Sequence, residues 1–175
     1  MTYTQEMNLT SSSGYCMPFE ERDRDVQLTL GYGKQNHPKT GEEFFHHGTD
    51  FNTNNYFLAA VADGIESGIG IDRKKYGLYE TIKYGKYEVT YSHLSNVFVQ
   101  FGQKVKAGLA VGVSSDMLHM EVKYNGEEID PLEFITMLYS NVKNGPKKER
   151  LSLSLLPSIW IFTTTTTKIR MRLRN

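Results

Sequence analysis

Met117-Leu118-His119-Met120-Glu121-Val122, continuing through Lys123-Tyr124 to Asn125-Gly126, is the stretch on which the fold turns. At a period of two, Met117, His119 and Glu121 share one face of a strand, and Leu118, Met120 and Val122 face a core. Asn-Gly between two strand-like segments is the strongest short hairpin signal a sequence offers. Working back from it, short apolar runs recur at Phe57 to Ala62, Tyr79 to Tyr84, Tyr87 to Tyr91 and Ala110 to Val113. Turn signals punctuate them at Asp63-Gly64, Tyr84-Gly85, Phe101-Gly102 and Ala107-Gly108. Strands so short and closely spaced argue an antiparallel sandwich or barrel. Asp25 to Tyr32 reads as a further strand, with Val26, Leu28 and Leu30 on one face. Pro131 to Asn141 is the one short-helix candidate, with Leu132, Ile135 and Leu138 on one side.

Twenty basic and twenty acidic residues balance to zero formal charge. That leaves no electrostatic footprint for nucleic acid, which is not expected as a partner. The single cysteine, Cys16, cannot close an internal disulfide and reads as a surface or half-buried thiol. Residues 1–25 read as a polar lead-in without a basic start and apolar stretch, so no secretory signal peptide is expected. The longest apolar run, Leu151 to Phe162, is interrupted by Pro157 and is too short to span a bilayer as a helix. The protein is therefore expected to be made soluble in the cytoplasm. From Gly145 the composition changes to a basic, Thr-rich stretch, leaving 26–142 as the expected domain and 143–175 as a C-terminal tail.

Three places carry candidate chemistry. Phe45-His46-His47-Gly48-Thr49-Asp50-Phe51 offers an imidazole and a carboxylate four residues apart, His93 ends a strand-like run, and His119 lies mid-strand. Imidazole and carboxylate are what Zn²⁺ accepts at a catalytic site with three protein ligands and an open water position. Such an ion brings a water towards neutral pKa and polarises a scissile carbonyl. Each feature taken alone is more often polar loop content, a hydrogen-bonded strand-end residue or a satisfied core histidine.

In order along the chain, these pieces resemble the M23 family of LytM/lysostaphin-type zinc metallopeptidases. His37-Pro38 and Thr40-Gly41, then His46, Gly48 and Asp50, resemble "HP-x-TG" followed by "H-x-G-x-D". Ala62-Asp63-Gly64 is similar to "A-x-G", and Tyr91-Ser92-His93-Leu94-Ser95 to "Y-x-HLS". Val99 to Gly108 resembles "V-x-x-G-x-x-V-x-x-G", and Leu118 to Val122 with Asn125-Gly126 and Asp130-Pro131 resembles "HLHFEV…NG…DP". The resemblance runs from about Gly31 to Leu138.

It implies a mostly β fold: a compact two-layer antiparallel β-sandwich with a groove, of the duplicated hybrid motif type, with a short C-terminal helix. By position it implies His46, Asp50 and His119 as zinc ligands and His93 as a catalytic histidine. The implied partner is peptidoglycan peptide, in its stems or cross-bridges, which places the action at the cell envelope or outside the cell, with delivery by a phage or mobile element one route. His47 falls on a variable position, and His37 takes no ligand role.

The family's last motif is His-x-His, and here its first position is Met117. A thioether has no exchangeable proton and is a soft, weak partner for Zn²⁺. The resemblance thus implies surviving zinc binding with impaired hydrolysis. The segment 112–116 lacks the family's glycines and is expected to be a shortened loop. The alternative is a catalytically inactive binding or regulatory module acting on the wall or on a partner hydrolase. A lipoyl or biotin carrier would need a presented lysine that is missing, and a sugar-phosphotransferase IIA domain accounts less well for His-x-x-x-Asp. The stretch 67–75 is expected to be a loop, with Arg73, Lys74 and Lys75 either solvated or steering an acidic stem peptide.

Overall fold

The structure, a computed structural model, describes residues 4–19, 26–37 and 39–145. Eleven strands and one α-helix are described. They are β1 (Gln27–Leu30), β2 (Gly33–Asn36), β3 (Glu43–His46), β4 (Thr49–Asn52), β5 (Phe57–Ala59) and β6 (Gly64–Asp72). After them come β7 (Gly77–Tyr84), β8 (Tyr87–Val97), β9 (Lys104–Val105), β10 (Ala110–Tyr124), β11 (Glu127–Ile129) and α1 (Pro131–Asn144). The fold is mostly β and antiparallel with a C-terminal helix, as the alternation and turn signals require. One sheet runs β1-β4-β10-β8-β7-β6-β9, with β5 and β11 also on β10, and β2 and β3 form a separate ribbon.

β10 organises the sheet. Ala110 to Val113 and Leu118 to Tyr124, separate runs by sequence, belong to this one strand, and the expected loop at 112–116 is part of it. Its first part pairs with β5 and β8, its middle with β4, and its end with β8 and β11. Leu118, Met120 and Val122 are buried, whereas Met117 is 37% exposed, so the period-two reading holds through the site. Asn125 and Gly126 turn the chain into β11 with φ of 51° and 84°. Two successive positive φ values are what a tight hairpin needs, and Asn and Gly tolerate them best.

Helix α1 starts where Asp130 accepts a hydrogen bond from the Leu132 amide at 2.9 Å, with Pro131 in the first turn. Such a cap contributes about 1 kcal/mol. Its buried side is Phe134, Met137 and Leu138, while Leu132 stays 36% exposed. Phe134 and Met137 join Leu138 on the core-facing arc, with Ile135 partly buried against it, and Leu132 is the one left outside. Tyr87 lies 4.9 Å, ring to ring, from both Phe134 and Tyr124, joining helix and sheet.

Two other expectations change. The stretch 67–75 is not a loop: up to Asp72 it is strand β6, paired with β7, and only 73–76 turns. Strand β1 forms within the expected stretch, at the sheet edge, with Leu28 51% exposed and Val26 packed against the core. The segment before residue 26 is more than a polar lead-in, since Met7 and Leu9 are buried in the core. The tail from 146 onward lies outside the described residues.

Candidate metal centre

The chain passes from the β2–β3 ribbon into the main sheet at His47-Gly48, and this crossing puts His46 and Asp50 on the same site. Gly48 is required there. A Cβ on it would lie 2.5 Å from the Met120 carbonyl oxygen and 2.6 Å from Cε1 of His119. No side chain fits so close an approach of backbone to ring. Asp50 and His119 are then direct partners across β4 and β10.

His46, Asp50 and His119 each aim one donor atom into a common space, all within 4.8 Å of one another. Asp50 Oδ1 is 3.4 Å from His46 Nε2 and 2.6 Å from His119 Nδ1. Ligands about 2.0–2.1 Å from a tetrahedral ion lie roughly 3.3 Å apart, which the His46–Asp50 spacing matches, while the His119–Asp50 hydrogen bond would open to admit a zinc-sized cation. The remaining ring nitrogens are already engaged. His46 Nδ1 is 2.8 Å from the Gly31 carbonyl oxygen, and His119 Nε2 is 3.2 Å from Glu121 Oε1. Both acceptors can hold a proton on the outer nitrogen, so that the inner ones would ligate once an ion replaces the Asp50–His119 hydrogen bond.

Glu121 is in turn held by the Tyr76 hydroxyl, which donates to Oε1 at 2.9 Å, and by Lys75 Nζ at 3.3 Å. Burial alone would lower the His119 pKa, but its hydrogen bonds to Asp50 and Glu121 outweigh that and raise it to about 9. Burial alone would raise Glu121, but the bonds from His119 and Tyr76 bring it to about 2. The cluster is thus built to stabilise positive charge between two carboxylates.

His93 reaches the same groove from β8 through a break in the sheet. Its backbone sits at φ 58°, and its amide donates to the Tyr76 carbonyl at 2.8 Å instead of joining the β8–β10 ladder. The β8–β10 register slips here, between the Leu94–Ser114 and Ser92–His119 pairs. A non-glycine residue with positive φ is a strained placement of the kind that clusters at functional sites. The His93 ring stands edge-on to His119 with centroids 6.4 Å apart. Burial, then the neighbouring His119, holds its pKa below the ordinary imidazole value.

The other histidines stand apart from these donors. His47 pairs with Glu128 at 2.8 Å, and His37 accepts from the Lys39 and Thr40 amides of its own turn. Cys16 is half-buried, and burial raises its thiol pKa. Two contributors had no assigned role by sequence, Glu121 and Tyr76. Alternation already put Glu121 on the His119 face, whereas nothing local marks Tyr76, which arrives through the β6–β7 turn.

Comparison with known proteins gives consistent results. The model of Peptidase family M23 matches residues 44–131. An uncharacterized metalloprotease of Haemophilus influenzae is 32% identical over 139 residues, 74% of this chain and 29% of that protein. The murein hydrolase activator NlpD of Escherichia coli is 33% identical over 85 residues, 45% of this chain and 22% of that protein. The chain thus spans less than a third of the length of these curated relatives. Among solved structures, a zinc-containing peptidase from Vibrio cholerae superposes with a TM-score of 0.57 at 27% identity, covering 67% of this chain and 39% of that one. Among the described residues, no helix is long and apolar enough to cross a membrane.

Proposed function

The chain belongs to peptidase family M23, and on that premise we propose that it is a zinc metalloendopeptidase domain acting on the peptides of bacterial peptidoglycan. The observation that carries this reading is the convergence of His46, Asp50 and His119, with the outer nitrogen of each imidazole already tied. These three residues would hold the ion. When bound, zinc polarises a scissile carbonyl and lowers the pKa of a water.

The chain's own groups supply the rest. His93, held below the ordinary imidazole pKa, is largely neutral at pH 7 and able to accept a proton at Nδ1 or Nε2. Glu121, Tyr76 and Lys75 fix the orientation of His119. The groove face of the sheet binds the peptide in extended form, and the site of action is the cell envelope or the extracellular side.

Met117 stands where the family's second catalytic histidine would be, 37% exposed and opposite Asn52. It can neither take up nor donate a proton. Loss of one such group costs about 10²- to 10⁴-fold in rate, so turnover is slow. The same residue favours a second reading, a regulatory module that contacts the wall or a partner hydrolase. The likeness to a murein hydrolase activator supports that reading as well.

Hydrolysis of purified peptidoglycan by the wild type and by Met117→His separates the two. A gain of about 10²-fold or more in the variant, abolished by chelator, is the outcome expected of an attenuated peptidase. No gain in a variant that still binds zinc would favour the regulatory module.

A further inference from the structure

Beside the metal centre a groove of about 650 Å³ runs over the sheet towards the β6–β7 turn. Its floor is set by alternation on three adjacent strands. Tyr79 and Thr81 come from β7, Thr90 from β8, and Glu121 and Lys123 from β10. The Thr81 and Thr90 hydroxyls bond each other at 2.8 Å across the β7–β8 pair. Tyr76 stands at the end nearest His119, and Arg73 and Lys74 form the rim.

The charges lining this groove are unequally occupied. Asp72 Oδ1 accepts the amides of Lys74 and Lys75 at 2.8 and 3.2 Å, which closes the turn. Glu121 Oε1 is taken by His119, Tyr76 and Lys75. Glu121 is thus offset by Lys75, whereas Asp72 keeps its charge and is only fixed in direction by the two amides, leaving cations in excess. Among the described residues, no hydrogen bond or ion pair engages the side chains of Arg73, Lys74 or Lys123. Lys123 is only half-exposed, on the groove floor. What remains available is a set of three cations around a trough with hydroxyl and phenol donors, in a chain whose overall charge is zero.

We propose that this groove is a specificity subsite for a peptide carrying carboxylates next to the bond presented at the metal centre. Resting on the peptidase reading for what lies at that centre, the inference adds that the substrate segment is anionic. Arg73 and Lys74 meet a carboxylate entering at the rim, and Lys123 meets one lying along the floor. Tyr79 offers a flat apolar surface to the peptide backbone between them. Each exposed ion pair contributes modestly, so discrimination comes from their sum and weakens with salt.

The test measures binding of a glycine pentapeptide carrying two glutamates, against its twin carrying two glutamines, to the full chain by amide chemical shifts. The account expects the acidic peptide to bind about three- to tenfold more tightly at low ionic strength, an advantage lost at high salt. It expects the advantage to vanish in Arg73→Gln/Lys74→Gln/Lys123→Gln, and to fall partly in Lys74→Gln alone, whose exposed position leaves folding untouched. Protein stripped of metal by chelator keeps the preference, so failure of the zinc-peptidase reading would leave this result standing. Equal affinity for the twins, or a preference that survives the triple substitution, would overturn the proposal. Inorganic phosphate displacing the acidic peptide mole for mole would overturn it too, because the groove would then take any anion.

Discussion

Asp50 and His119 face each other across two antiparallel strands, with Asp50 Oδ1 2.6 Å from His119 Nδ1. Strand pairing fixes this relationship, so the site inherits the rigidity of the sheet. Only His46 arrives from outside the main sheet, and it does so through the two-residue crossing at His47-Gly48. Backbone geometry at that crossing is therefore as important to the site as the ligating side chains.

Gly48→Ala tests that dependence. The added methyl would meet the Met120 carbonyl at 2.5 Å and the His119 ring at 2.6 Å, so the crossing must shift. Overpacking of this kind costs about 1–3 kcal/mol. The variant is expected to unfold at lower urea concentration and to bind zinc more weakly. An unchanged midpoint and unchanged zinc affinity would show that the crossing is slack.

Glu121 and Tyr76 are expected to act through His119 and not on substrate. Outer-sphere partners of metal-ligating histidines typically account for about 10- to 100-fold in metal affinity. Glu121→Gln should weaken zinc binding by that order, and Tyr76→Phe by less, because Lys75 still reaches Glu121 at 3.3 Å. Competition with a chromophoric chelator reads both affinities. Equal zinc affinity in wild type and Glu121→Gln would remove Glu121 from the account.

Stability should depend on pH through a pair of carboxyls buried on the other side of the sheet from the groove. Glu66 and Glu80 are fully buried on β6 and β7, and among the described residues neither Glu80 oxygen has a hydrogen-bond partner. Burial raises the Glu80 pKa to about 8, with Glu66 adding to it, and burial raises Glu66 to about 7. Tyr84 and Tyr91 face Glu80 in the same core and stay neutral over this range. A folded-state pKa above the unfolded value means that the folded form binds the proton more tightly. Its stabilisation is complete below the ordinary carboxylate range and is lost as pH rises towards about 8. Urea midpoints of the wild type should fall between about pH 5 and 8, and Glu80→Gln should flatten that fall. Parallel curves for the two proteins would mean that Glu80 is ionised in the fold.

Much of this centre is legible in the sequence. Period two over 117–122 suffices to put His119 and Glu121 on a polar face, because β10 is buried on its other side through Leu118, Met120 and Val122. Asn125-Gly126 is legible because a tight turn demands positive φ at both residues. Strand β6 is not legible. Gly64, Gly68 and Gly70 make it read as loop, yet Gly70 lies where a Cβ would meet the Tyr79 hydroxyl at 2.7 Å, so the strand uses its glycines for close packing. Glu66 and Glu80 inside the core defy polarity rules, and no local pattern announces them. The Tyr76–Glu121 bond joins residues 45 apart, a contact that only the sheet's topology creates.

The most direct test of the central claim is the zinc content of the purified protein by elemental analysis, measured beside His46→Ala and His119→Ala. About one zinc per chain, lost in both variants, is the result that a three-ligand site built from His46, Asp50 and His119 requires. No zinc in the wild type, even after reconstitution, would contradict the account and leave the chain a binding module on a metallopeptidase fold.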